Sequence, residues 1–487
     1  MARGKVRPTG PGLLDAVRRG ILLSTIVGPE YNLPIYLSGR GSGKEKKMNR
    51  RLFLQSMAAA SASALMAPRR AEAALPAVKI TRVRIYQPPN LNQLFNQSNM
   101  LCTVETDAGI TGIGEGGSKD TLEQCAGSLI GKNPFQIETL WQTMYMEWFY
   151  PPGREKIHAL GALDLALWDI KGKAFKAPVH QLLNGAVRNY MDCYPTSGLG
   201  GGGGRGGGGR GAAGEAGGGR GAGAAAAANT GGRGAGMSLK ERAAAVIAAG
   251  YRAYRIDGGI ALGGNVFDVH QRVREVAKAC KEIREGVGEK GDWSIDFHQK
   301  FDFPDALRLC RLIEEYEPYL VEDPTRVEQF LEDIPKLRQM TTCPLAAGEE
   351  WGQRWDFNKL VENHDIDYIR ATLPNVGGIT EMMKVSAVCE THAVGIVPHF
   401  TGPISTAALA NCLAPYPGPV LFEYNYGERP IDYLPECLDF KQGKLYTNDR
   451  PGLGVTVEMK LLKQVGEVTT PIKRQIYNRP DGSLTHW

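Results

Sequence analysis

The sequence lacks the cysteine patterns that are typical of structural metal sites and disulfide frameworks. Its nine cysteines are scattered, none belongs to a C-x-x-C pair, and their number is odd. Because such sites depend on regular cysteine spacing, we expect buried free thiols. The chain also lacks a run of about eighteen apolar residues, the length that a membrane-spanning helix needs, so we expect no membrane span.

A basic surface of the kind that binds nucleic acid is also missing. The formal net charge of the 487 residues is +5, but residues 1–47 alone carry nine Lys/Arg against three Asp/Glu. The rest of the chain is therefore close to neutral, and we expect no nucleic-acid partner. The length of the whole chain is sufficient for one large domain and a smaller second domain.

The segment from Met48 has the layout of a twin-arginine export signal. It reads MNRRLFLQSMAAASASALMAPRRAEAA, with paired arginines at 50–51, a weakly apolar stretch and Ala-Glu-Ala at 71–73. We interpret 48–73 as this signal, which predicts export from a bacterial cytoplasm to the periplasm. Residues 1–47 would obstruct the signal, so we expect Met48 to be the start and 1–47 to be a non-native or disordered extension.

Residues 79–188 read as an α+β domain. KITRVRIYQPP and MLCTVETDAGITGIGEG alternate apolar and polar residues, as strands do. Leu160, Leu163, Leu167 and Ile170 then recur at helical spacing. The following segment, 198–236, is almost entirely Gly, Ala and Arg, and we expect it to be a disordered insert.

Eight short apolar strands with polar ends alternate with helix-periodic stretches over residues 189–445. This alternation predicts a parallel (β/α)8 barrel, with a doubly wound open sheet as the alternative. We expect 446–487 to return to the first domain. The predicted strand ends are NYMDCY (189–194), YRAYRID (251–257), WSIDFH (293–298), YLVEDP (319–324), PLAAGEE (344–350), DYIRATL (367–373), VGIVPHF (394–400) and VLFEYN (420–425).

Three carboxylates end successive predicted strands. Asp296, Glu322 and Glu349 follow one another at the spacing of one strand–helix unit, and the carboxyl ends of barrel strands open on one face. Clustered anions repel one another unless a cation neutralises them. All-oxygen ligation favours Mg²⁺, with Mn²⁺ or Ca²⁺ as alternatives. His298 and His399 flank this group, where they could move protons on a substrate.

Several segments together resemble the mandelate racemase/muconate lactonising branch of the enolase superfamily. They are ALGALDLALWDIKGKAFKAPVHQLLNG, the strand ends DFH, VEDP and AGEE, the segment NVGGITEMMKVSAVCE, and VPHF. The resemblance runs from about residue 79 to about residue 465. It implies an α+β capping domain over a modified (β/α)8 barrel, one Mg²⁺ held by the three carboxylates, and abstraction of the proton α to a substrate carboxylate.

Within this branch, DFHQK, VEDP and GEE are most similar to the acid-sugar dehydratases of the galactonate and mannonate types. That similarity implies that His399 takes the α proton and that His298 protonates the departing 3-hydroxyl. We expect a small carboxylate substrate and a homo-oligomer. The residues expected to bind the substrate are Arg255, Asp257, Lys300, Thr372 and Glu423.

The chain departs from the family pattern at three places. Arg255-Ile256-Asp257 stands where many relatives have Lys-x-Lys, which disfavours racemisation by a Lys/His pair. Thr372 stands where an aspartate usually orients the later histidine. The loop GGIALGGNVFD at 258–268 lacks the Tyr/Arg pair of the mannonate type. Sugar-acid dehydration is the main hypothesis; a racemase or epimerase, with His298 or Lys300 opposite His399, and a non-catalytic binding protein stay open.

Overall fold

The computed structural model describes residues 77–91, 98–147, 153–196, 237–257, 267–472 and 476–485. The expected extension at 1–47, the signal at 48–73 and the insert at 198–236 lie outside the described residues.

The first part of the described chain is a four-stranded antiparallel sheet covered by helices. Its strands are β1 (Ile80–Gln87), β2 (Leu101–Thr106), β3 (Thr111–Glu115) and, from the end of the chain, β14 (Lys463–Val468), in the order β14-β1-β2-β3. Its helices are α1 (Lys119–Ala126), α2 (Ile137–Met146), α3 (Arg154–Phe175) and α4 (Val179–Leu182).

Helix α3 packs directly on β3. The leucines predicted to share one face of this helix are buried, as is Ile170. A Cβ on Gly114 would lie 1.8 Å from the carbonyl oxygen of Ala162, so only glycine permits this approach of strand to helix. The spacing of the apolar residues thus determines which face of α3 is buried, and Gly114 determines how closely β3 and α3 pack.

Eight parallel strands form a closed barrel. They are β4 (Met191–Tyr194), β5 (Ala253–Asp257), β6 (Asp292–Asp296), β7 (Leu320–Glu322), β8 (Leu345–Ala347), β9 (Tyr368–Ile369), β10 (Gly395–Ile396) and β11 (Phe422–Glu423). Six of them lie in the order β10-β9-β8-β7-β6-β5. β11 pairs in parallel with β4, the Arg252 amide donates to the Cys193 carbonyl at 3.0 Å, and a bridge joins Ile396 to Val420. These contacts close the circle, so the predicted (β/α)8 barrel is confirmed and the open-sheet alternative is wrong.

Helices alternate with the strands of the barrel as predicted. They are α5 (Leu239–Ala248), α6 (Val269–Val287), α7 (Phe303–Ile313), α8 (Asp333–Arg338), α9 (Arg354–Glu362), α10 (Ile379–Thr391) and α11 (Pro403–Leu413).

After β11 the chain forms a hairpin of β12 (Asp439–Lys441) and β13 (Lys444–Tyr446), and β13 pairs antiparallel with β4. It then continues to β14, which pairs with β1. A last short hairpin joins β15 (Tyr477–Asn478) to β16 (Leu484–Thr485). Within the described residues, none of the helices has both the length and the apolar character that crossing a membrane requires.

Buried carboxylates from the first domain bind the amino-terminal ends of barrel helices. Asp164 on α3 accepts hydrogen bonds from the Thr380 amide (2.9 Å) and the Thr380 hydroxyl (2.6 Å) at the start of α10. Glu115, at the end of β3, accepts from the Ser405 amide (2.7 Å) at the start of α11. Because unpaired amides at a helix start favour an anion or acceptor, these contacts fix the domain on the barrel.

Candidate active site

Three carboxylates lie in a row at the carboxyl ends of neighbouring barrel strands. Asp296 ends β6 and is in register with Glu322, which ends β7. Glu349 follows β8 by two residues. Asp296 and Glu322 are each 1% exposed, and the side chain of Glu349 is 13% exposed. The structure therefore buries three acidic groups at one end of the barrel.

Each carboxylate of this row faces a basic side chain. Asp296 pairs with Arg255, and its Oδ2 lies 2.7 Å from Nε2 of His298. Glu322 accepts a hydrogen bond from Nε of Arg370. Oε2 of Glu349 lies 3.1 Å from Nε2 of His399. The two histidines thus stand at the two ends of the row.

The acidic groups influence one another strongly. Burial raises the pKa of Glu322 and that of Glu349 to about 7, and repulsion from Asp296 contributes to both shifts. Burial would also raise the pKa of Asp296, but Arg255 and His298 outweigh it, so that this pKa is lowered. Burial and repulsion from Asp296 therefore disfavour the ionised forms of Glu322 and Glu349, and a bound cation would favour them.

The donor set of the row fits a hard divalent cation. All three groups are carboxylates, as Mg²⁺ prefers, and Oε2 of Glu349 is buried with no hydrogen-bond partner among the described residues. Its 3.1 Å approach to His399 does not have hydrogen-bond geometry. In the same part of the chain, no group of three or more His, Cys, Asp or Glu side chains is arranged to hold a metal ion together. Asp296 and Glu322 are instead oriented towards the arginines.

His298 is held between two aspartates. Its Nδ1 lies 2.9 Å from Oδ1 of Asp257 on β5, and its Nε2 faces Asp296. Burial would lower the pKa of His298, but the hydrogen bonds to Asp257 and Asp296 raise it to about 10. A histidine in this setting holds its proton at neutral pH, so it suits the role of a general acid.

His399 has the opposite environment. Its Nδ1 lies 2.8 Å from the carbonyl oxygen of Phe400, and since a carbonyl only accepts, Nδ1 carries the hydrogen. Burial lowers the pKa of His399, Glu423 opposes this shift, and Arg370 adds to it. The neutral ring then has its lone pair on Nε2, on the side of Glu349, as a general base requires.

The residues expected to bind substrate have varied positions. Arg255 is buried against Asp296, and Asp257 contacts His298. Lys300 is exposed. The Thr372 hydroxyl donates to the backbone carbonyl of His399 at 2.8 Å, so it contacts the main chain at this histidine rather than its ring. Glu423 is buried and pairs with Arg370.

Arg370 is a site residue that sequence reasoning missed. It follows β9, is 0% exposed, and donates both to Glu322 and to Glu423 across the barrel. Its Nη1 also donates to the hydroxyl of Tyr194 at 2.8 Å. The sequence signal for this residue was an arginine directly after the strand Tyr368–Ile369, because a charge at that position needs buried anions as partners.

Two family models match this chain. Residues 81–184 match the N-terminal domain of mandelate racemase/muconate lactonizing enzyme, and residues 238–461 match the enolase C-terminal domain-like model. A D-galactonate dehydratase of Xanthomonas oryzae pv. oryzae is 33% identical over 407 residues, which cover 79% of this chain and 95% of the relative. Another, of Pectobacterium atrosepticum, is 30% identical over 436 residues, covering 84% of this chain and 100% of the relative.

The chain belongs to the mandelate racemase/muconate lactonising branch of the enolase superfamily. The resemblance seen in the sequence motifs is thereby confirmed. A crystal structure of an enolase superfamily member from Salmonella Typhimurium has the same fold, with a TM-score of 0.66 at 23% identity over 80% of this chain and 100% of that one. The two relatives described above are dehydratases, and their similarity supports a hydro-lyase activity for this protein.

Proposed function

We propose that this enzyme dehydrates an aldonate in a Mg²⁺-dependent reaction and releases a 2-keto-3-deoxy acid. His399 abstracts the proton on the carbon next to the substrate carboxylate. His298 protonates the 3-hydroxyl as its C–O bond breaks, so that water leaves and a C=C bond forms. The resulting enol becomes the keto acid. The relatives named D-galactonate dehydratase support this reaction class.

The opposite environments of the two histidines carry the proposal. Two aspartates support a protonated His298, whereas burial and the Phe400 carbonyl favour a neutral His399 with a free Nε2. Elimination of a poor leaving group needs an acid and a base at the same time. Two groups whose surroundings drive their pKa values apart are the usual basis for that division of roles.

Asp296, Glu322 and Glu349 are the residues that would hold Mg²⁺. When bound, the ion supplies positive charge that stabilises the enediolate form of the substrate carboxylate. The protein itself supplies the buried surroundings of Glu322 and Glu349, which exclude bulk water and strengthen charge interactions.

The test is a screen of aldonates with Mg²⁺, followed by histidine variants on the best substrate. We expect wild-type protein to form a 2-keto-3-deoxy acid. His298→Asn should exchange the α proton for solvent deuterium while forming little product, because the base is intact. His399→Asn should lose exchange and product together. Each loss should be on the order of 10²–10⁴-fold, followed by NMR and by a keto-acid assay.

Other outcomes would contradict the proposal in distinct ways. Exchange by the wild type without elimination would indicate a racemase or epimerase, and binding without exchange would indicate a non-catalytic protein. Exchange that persists in His399→Asn but vanishes in His298→Asn would reverse the two roles. Exchange in both variants would mean that another residue, such as Lys300, is the base.

A further inference from the structure

Three residues beside the carboxylate row have left-handed backbone without being glycine. The φ angles are +47° at His298, +56° at Gln299 and +41° at Asp323. Side chains other than glycine rarely adopt this region, although His and Asp do so more often than most. Such conformations persist only where surrounding contacts enforce them, and they concentrate at functional sites.

The contacts that enforce this backbone join the turn after β6 to the end of β7. The amide of Phe297 donates to the Glu322 carbonyl at 2.9 Å, and the amide of Gln299 donates to the Asp323 carbonyl at 3.1 Å. His298 is the residue between these two bonds. Its backbone is therefore held from β7, while its ring contacts Asp257 on β5.

A side-chain bond adds to the backbone bond at the same place. Nε2 of Gln299 donates to Oδ2 of Asp323 at 3.2 Å. Asp323 is 2% exposed, and its amide donates to the Ala346 carbonyl on β8 at 2.9 Å. We call this double contact the Gln299–Asp323 clamp. Glycine would adopt the backbone at 299 without strain, so the glutamine is explained by what its amide binds.

We propose that the Gln299–Asp323 clamp positions His298 for delivery of its proton to the departing hydroxyl. This proposal rests on the proposed function, in which His298 is the acid. Gln299 and Asp323 are then positioning residues, since they act through the histidine. The clamp holds the turn against β7 and so fixes the backbone of His298. Asp257 on β5 then orients the ring of this histidine. A displacement of about 1 Å at a reacting group can reduce the rate about 10²-fold.

The test measures α-proton exchange and product formation in the same samples. Gln299→Gly relieves the left-handed backbone but removes the amide, and Gln299→Met keeps the side-chain length but cannot donate to Asp323. We expect product formation to fall about 10- to 100-fold in both variants, while exchange by His399 continues. The ratio of exchange to product should therefore rise by the same factor.

The matched control is Asn184→Gly. Asn184 is exposed, lies between α4 and β4, and has a φ of +83°, so the change relieves left-handed backbone away from the row. Its ratio should equal that of the wild type. If the wild-type protein forms the 2-keto-3-deoxy acid and both Gln299 variants keep the wild-type ratio of exchange to product, the clamp alone is overturned, even when both rates are reduced. A wild type that forms no 2-keto-3-deoxy acid would overturn the proposed function, and the clamp with it.

Discussion

At the scale of single residues, the three carboxylates of the row have different counter-groups and should respond differently to neutralisation. Asp296 pairs with Arg255 and faces His298. Glu322 shares Arg370 with Glu423 and also lies 3.8 Å from Nε of Arg255, whereas Glu349 lies beside His399. Removing the charge of Asp296 leaves two basic groups with one anion fewer. Removing the charge of Glu349 relieves repulsion within the row instead.

Despite these differences, Asp296→Asn, Glu322→Gln and Glu349→Gln should each abolish dehydration and lower the affinity for Mg²⁺. We expect about a tenfold or larger rise in the dissociation constant, since even residues that only support metal ligands are worth 10- to 100-fold. Titration calorimetry with Mg²⁺ measures this without a substrate. The exposed Glu289 offers the control Glu289→Gln, and wild-type affinity in any of the three variants would remove that residue from the site.

At the scale of elements, the domain junction contains two buried carboxyl groups whose pKa is raised in the folded state. Burial raises the pKa of Glu115 from 4.5 to about 8, against the hydrogen bonds from Ser405 and Ile404. Burial likewise raises the pKa of Asp164 from 3.8 to about 7. At a pH between the unfolded and the folded pKa of these groups, the folded chain binds more protons than the unfolded chain. The contribution of these two groups to stability is therefore full below about pH 4 and is lost as the pH rises towards about 8.

Glu115→Gln should reduce this loss. The amide of the variant cannot ionise. The free energy of unfolding of the variant minus that of the wild type should therefore increase between pH 5 and pH 9, by about one to a few kcal/mol. Urea unfolding at several pH values measures the difference. Glu289→Gln, at an exposed position, serves again as the control. A difference that does not change with pH would show that Glu115 is ionised in the folded protein.

The sequence predicts the order of the elements but not the contacts between distant ones. Strand–helix alternation repeats along the chain, so the period alone located Asp296, Glu322 and Glu349 at neighbouring strand ends. The junction contacts have no period: Glu115 and Ser405 are 290 residues apart. Contacts across the barrel, such as those of Arg370 with Glu322 and Glu423, depend on strand tilt and stagger, which the spacing of residues along the chain does not contain.

At the scale of the whole molecule, the first domain contacts the barrel close to one end of the site. The barrel supplies the carboxylate row and both histidines, while β3 and α3 contact the starts of α11 and α10. α11 begins four residues after His399. Any change that separates the domains should therefore affect the base before it affects the acid. Export through the twin-arginine signal and assembly as a homo-oligomer stay predictions at this scale.

The insert at 198–236 gives the last prediction. Its Gly-, Ala- and Arg-rich composition provides few apolar side chains for a core, and long surface loops add only slowly to the entropy of loop closure. The described residues on either side have contacts of their own: Thr196 contacts Glu423 before the insert, and Ser238 caps α5 after it. Replacing 198–236 with a short Gly/Ser linker should leave the melting temperature within a few degrees and should preserve dehydration. A matched linker that also replaces Thr196 should lower activity, because it removes the contact to Glu423. Loss of the fold in the first variant would show instead that the insert packs against the barrel.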